Sequence, residues 1–326
     1  MIDVPCDYCG SDSRSLVFQA RDVNYHLGGV FDIVKCNDCS LVYLSPRPDE
    51  VELTNFYPDA YTCFKPGGRP SSLGAGHPLS VAAHSLGLRS GRICDVGAGA
   101  GDFLAAARGS GWEVAGIEPN EYARRVCDQT LGEKAVFGSW EAASFPPDYF
   151  DAVTLWHVME HLSSPAEMLR RIRRVLKPGG LLGLAVPNFD SFERRLWGPH
   201  WIAMEIPRHL YHFTIDTLRS YLEKYGFQVM SAHQTPGANS LAANLLRTFR
   251  ETVLDPRSGK TAMARNDRIT APAGSEWASS SHYAVNERTK ENYRRVVMKL
   301  VYPAASLIST FGWGPELMVF ARKATF

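Results

Sequence analysis

The chain has 326 residues, of which 45% are hydrophobic and 21% charged, with a formal net charge of +1. That length allows a large core and more than one unit, and the balanced charge excludes a global pull towards nucleic acid or acidic lipid. The opening "MIDVPCDYCG" lacks the basic and apolar regions of a signal peptide, and no apolar run is long enough to span a bilayer, so a reducing, cytoplasmic setting is expected, in which cysteines act as ligands or core residues.

The first predicted unit is a metal ribbon over residues 1–48. "CDYC" (Cys6, Cys9) and "CNDC" (Cys36, Cys39) are two matched turns that can aim four thiolates at one point, the donor set of a structural tetrahedral zinc site. Redox dithiols and an iron–sulfur cluster are the alternatives. Between the turns, "SLVFQARD" and "VFDIVKC" read as a hairpin. A full set of four sulfurs leaves no open position for chemistry, so the metal is expected to hold together a segment too small for its own core. Cys63, Cys94 and Cys127 have no matching partners, and Cys94 reads as core.

Residues 49–89 read as a linker, with Tyr57 and Tyr61 as candidates for a lid or for simple packing on the sheet. From about residue 90 apolar runs alternate with helical patterns. "RICDV", "WEVAGIE", "KAVFG", "FDAVTLWHV", "LLGLAVPN" and "QVMSAHQ" read as strands. "GDFLAAARGSG", "NEYARRVCDQTLG", "SPAEMLRRIRRVLKPGG" and "TIDTLRSYLEKYGF" read as helices. Strands separated by helices require parallel crossovers, which predicts a doubly wound α/β sheet with its ligand at the carboxyl ends of the strands. The arginines of "LRRIRRVLK" suit a solvated face near a helix carboxyl end better than an RNA surface.

"DVGAGAGDF" places Gly97, Gly99 and Gly101 after the first core strand. A dinucleotide fingerprint would put glycine where Asp102 stands, and a carboxylate at that helix start opposes a pyrophosphate. Asp95 suits a cationic amine, and Glu118 in "GIEPN" suits the hydroxyls of a ribose. The loop therefore reads as the seat of a phosphate-free ligand with a ribose and a cationic amino acid.

At these residues the chain resembles class I S-adenosylmethionine-dependent methyltransferases. "DVGAGAGDF", "GIEPN", "FDAVTLWHVMEHL" and "LKPGGLLGLAVPN" stand in that family's order and spacing, and "PELMVFARKATF" resembles its seventh strand. The resemblance implies a Rossmann-like seven-stranded sheet over residues 90–239, completed by residues 314–326, and S-adenosylmethionine held by Asp95, Gly97, Gly99, Gly101 and Glu118. Ser139 and Trp140 would lie beside the adenine, in place of the acid that many members carry there. Trp156 and His157 would line the transfer site. An amino-terminal ribbon on this fold is also similar to sugar C-methyltransferases and to enzymes of bacterial polysaccharide and secondary-metabolite gene sets, without the long carboxyl-terminal half of the former.

Methyl transfer to a hydroxyl or carbon acid needs a base. The stretch "WGPHWIAMEIPRHLYHFT" holds His200, His209, His212, Glu205 and Tyr211, and His209 is the first candidate base, oriented by Glu205. His157 is the second. For each loop histidine the competing reading is a structural hydrogen bond, and His212 is expected to be structural. Residues 240–313 read as a helical insertion whose apolar stretch 296–311 caps the sheet or forms a dimer surface, with membrane-peripheral contact as the alternative. The expected partner is a small-molecule acceptor: a sugar, a lipid-linked glycan or a secondary-metabolite intermediate. No DNA partner is expected. An RNA base methyltransferase and a non-catalytic binding protein are the competing readings, and the near-zero charge counts against RNA.

Overall fold

A computed structural model describes residues 1–57, 72–74, 76–132, 135–249, 299 and 301–325. Tyr61, Cys63 and all of the predicted polar part of the insertion lie outside them. In chain order the strands and helices begin with β1 (Arg14–Ala20), β2 (Phe31–Cys36), β3 (Val42–Leu44), α1 (Glu50–Thr54), α2 (Pro78–Ser85) and β4 (Gly91–Val96). There follow α3 (Asp102–Gly109), β5 (Trp112–Ile117), α4 (Glu121–Leu131), β6 (Val136–Phe137), α5 (Trp140–Ala143), β7 (Phe150–Trp156), α6 (Pro165–Val175) and β8 (Leu176–Pro187). The last are α7 (Phe192–Trp197), β9 (Tyr211–His212), α8 (Ile215–Lys224), β10 (Phe227–Thr235), α9 (Ala238–Phe249), α10 (Tyr302–Thr310) and β11 (Glu316–Lys323).

The strands form a seven-stranded sheet in the order β10-β11-β8-β7-β4-β5-β6 and a four-stranded sheet in the order β1-β2-β3-β9. In the larger sheet β4 runs parallel to both β5 and β7, as the helical crossovers require. β4, β7 and β8 are buried along most of their length, matching their near-continuous apolar runs. Ile93, Ala107, Ala152, Leu181 and Phe320 belong to one core cluster of this sheet.

The third predicted crossover helix is shorter than its sequence suggests. α6 opens on Ser164, whose side chain accepts from the Glu167 N–H, and ends at Val175, before Pro178 and Gly179. "LKPGG" belongs to β8 instead: Phe150 pairs with Leu176, and Ala152 pairs with Leu181, so the register shifts between them. Lys177 Nζ meets Asp151 Oδ1 at 2.6 Å across that irregularity, and Gly179 takes φ +73°.

By its contacts the chain falls into two compact units that cut across the sequence-based boundaries. One comprises Met1–Ala60, Pro187–Thr214 and Gln234–Leu317; the other comprises Tyr61–Val186, Ile215–His233 and Met318–Phe326. The segment 187–214 thus groups with the ribbon. β9 extends the ribbon sheet, with Val42 opposite His212 and Tyr43 opposite Tyr211. Among the described residues no helix is long and apolar enough to cross a membrane.

Candidate functional site

In the ribbon, each Cys-x-x-Cys turn is closed in the same way. The Gly10 N–H donates to the Cys6 carbonyl (2.7 Å) and the Ser40 N–H to the Cys36 carbonyl (3.0 Å). Both closing residues are left-handed, at φ +78° and +67°, and Gly10 meets this demand without a side-chain penalty. The thiols converge: Cys6 Sγ lies 3.4 Å from Cys39 Sγ and Cys9 Sγ 3.5 Å from Cys36 Sγ, with all four sulfurs within 4.8 Å of one another. Zn–S bonds of about 2.3 Å in a tetrahedron require sulfurs roughly 3.8 Å apart, so the donor set fits zinc. Burial opposes ionisation of Cys36, but the backbone N–H groups of Cys39 and Asp38 draw its thiol below the usual range.

The same unit holds the histidine-rich segment. Arg208 is fully buried, with Nη2 and Nη1 donating to Asp22 at 2.9 and 3.1 Å, Nη1 to the Phe56 carbonyl at 2.9 Å and Nε to Glu205 Oε1 at 3.2 Å. Asp22, in the loop between β1 and β2, also accepts from the N–H groups of Asn24 and Tyr25. His209 is 4% exposed; its Nδ1 lies 3.0 Å from the Ala203 carbonyl and its Nε2 3.2 Å from Glu205 Oε2. Both ring nitrogens face acceptor oxygens. That is the geometry of a histidine that fixes its own loop, not of one presenting a lone pair to a substrate proton. His212 is buried in β9 beside Phe189, and burial pushes its imidazole down to about 3, which keeps it neutral. Burial likewise raises the Tyr211 phenol, whose oxygen accepts from Arg47 Nη1 at 3.0 Å. His200 is exposed.

In the other unit, the turn after β4 carries Gly97, Gly99 and Gly101 at φ +71°, +54° and +81°. A Cβ on Gly97 would approach Val158 Cγ2 to 2.4 Å, and one on Gly101 would approach Cys127 Sγ to 2.8 Å. Gly97 and Gly101 are therefore needed both for handedness and for closeness. Gly101 caps α3, and Asp102 occupies its first turn. A carboxylate there suits the positive end of the helix and opposes a bound phosphate.

Glu118, just past β5, is 6% exposed; its Oε2 accepts from the Gly99 N–H and its Oε1 from the Asn120 N–H, each at 2.8 Å. Each carboxylate oxygen retains acceptor capacity beyond one backbone bond. Asp95 lies one strand over, 3% exposed, accepting from Thr154 Oγ1 at 2.6 Å. Burial pushes its carboxyl up to about 7; the Thr154 hydroxyl opposes the shift and the nearby Glu118 adds to it. Thr154 is a member of the site that sequence reasoning missed. Its signal was a hydroxyl in the middle of the apolar "FDAVTLW".

At the carboxyl end of β7, Trp156 packs edge-on to Phe103, with ring centroids 5.4 Å apart. Its indole nitrogen is buried without a hydrogen-bond partner among the described residues, an orphan donor of the kind that a bound ligand satisfies. The next residue, His157, adopts φ +56°, and its N–H donates to the Ala185 carbonyl at 2.9 Å. A non-glycine residue held left-handed costs about 1–3 kcal/mol and is found disproportionately at functional sites. Its imidazole is 47% exposed, and Nδ1 lies 3.4 Å from Oε1 of Glu160, whose side chain is 1% exposed. Glu160 was also missed; the acid in "WHVMEHL" is three residues from His157, a spacing that returns it to the histidine through the short turn Met159–His161. Ser139 and Trp140 have local duties. The Ser139 hydroxyl accepts from the Ala142 N–H at 3.2 Å and caps α5, and Trp140 Nε1 donates to Met168 Sδ at 3.2 Å.

Residues 77–232 match the family model described as a methyltransferase domain. This region is a class I S-adenosylmethionine-dependent methyltransferase domain. Among relatives, a ubiquinone biosynthesis O-methyltransferase of Burkholderia multivorans is 28% identical over 173 residues, covering 49% of this chain and 73% of that protein. Its namesake in Methylococcus capsulatus is 25% identical over 185 residues, covering 53% and 78%. A solved SAM-dependent methyltransferase from Archaeoglobus fulgidus superposes with a TM-score of 0.42 at 20% identity, covering 71% of this chain and 86% of that one. The glycine turn, Asp95 and Glu118 gather at the ends of the paired strands β4 and β5, and the charge pattern of S-adenosylmethionine fits these residues.

The buried acid of the methyltransferase domain sets an opposition between stability and binding. The folded pKa of Asp95, about 7, lies above the unfolded value of about 3.9. Its contribution to stability is therefore full at low pH and lost as pH rises through 7. Asp95→Asn is expected to raise the melting temperature of the apoprotein at pH 8. It is also expected to weaken S-adenosylmethionine, because the ionised carboxylate is what favours a cation. Calorimetric melting and titration at pH 6 and 8 check both; the wild-type affinity should fall as pH drops below 7.

Proposed function

We propose that the protein transfers a methyl group from S-adenosylmethionine to a small-molecule acceptor bearing an ionisable hydroxyl, and that His157 removes the acceptor proton. The observation that carries this reading is the pair formed by half-exposed His157 and buried Glu160, on the same unit and at the same sheet end as Asp95, Glu118 and the glycine turn. The O-methyltransferase activity named for the relatives supports a hydroxyl acceptor. S-adenosylmethionine, when bound, supplies an activated methyl group on a cationic sulfur. Glu118 would accept from the ribose hydroxyls while it holds the Gly99 amide. Asp95 would offset the cationic end of the cofactor, directly or through the loop. Glu160 would orient the His157 ring through Nδ1, leaving the opposite ring nitrogen to take the acceptor's hydroxyl proton; the methyl group gained by the acceptor oxygen would leave the cofactor's sulfur as a neutral thioether. The β6–α5 turn with Ser139 and Trp140 would flank the adenine, and the Trp156 N–H would meet the acceptor or the cofactor. His209 and Glu205 are assigned to holding the segment 203–209 rather than to proton transfer.

The ribbon's four thiolates would bind one structural zinc. Chelation is expected to release one equivalent of zinc per chain and to unmask four titratable thiols, and Cys36→Ser to lose the zinc and leave three. Ribbon backbone amides should lose exchange protection while S-adenosylmethionine titration of the other unit persists. Metal analysis and hydrogen exchange measure this; a metal-free chain with a protected ribbon would contradict it. The activity itself is tested by incubating the protein with methyl-labelled S-adenosylmethionine and cell extract, then identifying labelled products by mass. Label on a small molecule is the expected result. Label recovered only in RNA would overturn the assignment of the acceptor.

A further inference from the structure

The helices α7, α9 and α10 lie in the same unit as the ribbon and pack on one another through Leu241, Ala242 and Ala305, with Trp197, Val301 and Ile308 against them. This small core leaves other apolar side chains outside. Leu196 on α7, Leu245 and Leu246 on α9, Leu307 on α10, and Phe311 and Trp313 just after it are 43–66% exposed. Ala304, Leu307 and Phe311 recur at i, i+3 and i+7, so they form one stripe, distinct from the inward line of Val301, Ala305 and Ile308. The rings of Phe311 and Trp313 lie 6.2 Å apart, which makes an aromatic patch at the end of the stripe.

The charge on these helices has one sign at the surface. Arg195 on α7 and Lys299, before α10, are exposed; Arg194 lies over the Phe189 ring and donates to the Phe189 carbonyl, and Arg247 on α9 donates to the His200 carbonyl with its Nε and Nη1 buried. The one acid within α7, α9 and α10, Glu193, is 3% exposed and accepts from Trp201 Nε1 at 3.1 Å and Asn244 Nδ2 at 2.9 Å. Asp190, in the turn before α7, lies 3.9 Å from Arg194. The Arg195 guanidinium sits 5.8 Å from the centroid of the Trp313 ring, a cation beside an exposed aromatic.

We infer that this face docks on the surface of an anionic phospholipid bilayer. Leucine, phenylalanine and tryptophan side chains would enter the boundary between headgroups and acyl chains while arginine and lysine meet lipid phosphates. The attachment is peripheral, since no described helix is long and apolar enough to cross a membrane. The charge complementarity favours an anionic bilayer over a second copy of the chain, whose matching face would bring like charges together.

Co-sedimentation of the full chain with phosphatidylcholine vesicles, with and without phosphatidylglycerol, tests this. Binding to the anionic vesicles is expected, weakening as salt rises. Arg195→Gln should reduce it about fivefold, the loss of one cation near a charged surface. Leu307→Ser combined with Phe311→Ser should reduce it more than about tenfold through lost apolar burial. Both sites are exposed, so S-adenosylmethionine titration should be unchanged in the variants, and that control separates this inference from the proposed activity. No binding to either vesicle, or binding indifferent to both substitutions, would overturn it. So would a dimer, seen by light scattering, that the double substitution dissolves while vesicles are ignored.

Discussion

His157→Ala is expected to lower kcat by about 10²- to 10⁴-fold, the usual contribution of a positioned base, while leaving S-adenosylmethionine affinity close to wild type. The two effects separate because cofactor binding is assigned to other side chains of the unit: Glu118 on the Gly99 amide and Asp95 on Thr154. Glu160→Gln should cost less and act differently. It keeps the shape of the turn Met159–His161 but removes the charge 3.4 Å from Nδ1, so the acid limb of the pH–rate profile should move to lower pH as the imidazolium loses its stabilising partner. A merely structural role for Glu160 would change the rate without moving that limb. His209→Ala is the comparison. Its ring bridges the Ala203 carbonyl and Glu205, so its loss should lower the melting temperature rather than reproduce the His157 profile. Steady-state kinetics and melting of the three variants decide the assignment. A His157→Ala protein at full turnover would end the case for this base.

Glu118→Ala is expected to weaken S-adenosylmethionine by roughly 100-fold. Hydrogen bonds to a charged group contribute about 1.5–3 kcal/mol each, and a ribose offers two hydroxyls to one carboxylate. Part of the loss comes from the loop itself, because the Gly99 N–H gives up its 2.8 Å acceptor and the glycine turn loses its anchor. Glu118→Gln separates the contributions. It can still accept from Gly99 through its carbonyl oxygen, but offers a neutral acceptor and a donor in place of two anionic oxygens, so its affinity should fall between wild type and alanine. Isothermal titration measures all three. Equal affinity across the series would remove Glu118 from the cofactor seat.

Much of this was legible in the sequence. The alternation of apolar runs with helices gave β4, α3, β5 and α4 nearly to the residue, since each run is terminated by glycine or by an N-cap such as Asn120. Cys6, Cys9, Cys36 and Cys39 were legible for a similar reason: a short turn constrains both spacing and direction. What escaped depends on contacts between distant segments. Thr154 acquires its meaning from Asp95, 59 residues earlier, and Arg208 from Asp22, 186 residues away. The "LKPGG" stretch carries helix-stop signals and yet enters β8, because Asp151 meets Lys177 across the strand pair. Glu205 and His209 have the right residue types for a catalytic pair. Only the placement of the Ala203 carbonyl shows that the second ring nitrogen is also engaged. Residues 187–214 were assigned to the α/β core from their position in the chain, whereas pairing between β3 and β9 groups part of them with the ribbon.

The central claim is that the turn after β4 and the acid after β5 hold S-adenosylmethionine. Titration of the purified chain with S-adenosylmethionine at pH 8 and pH 6 tests it most directly. The account predicts one saturable site per chain, competed by S-adenosylhomocysteine and weaker at pH 6, where Asp95 carries a proton. No binding at millimolar ligand, or preferential binding of a dinucleotide despite Asp102 at the start of α3, would contradict it.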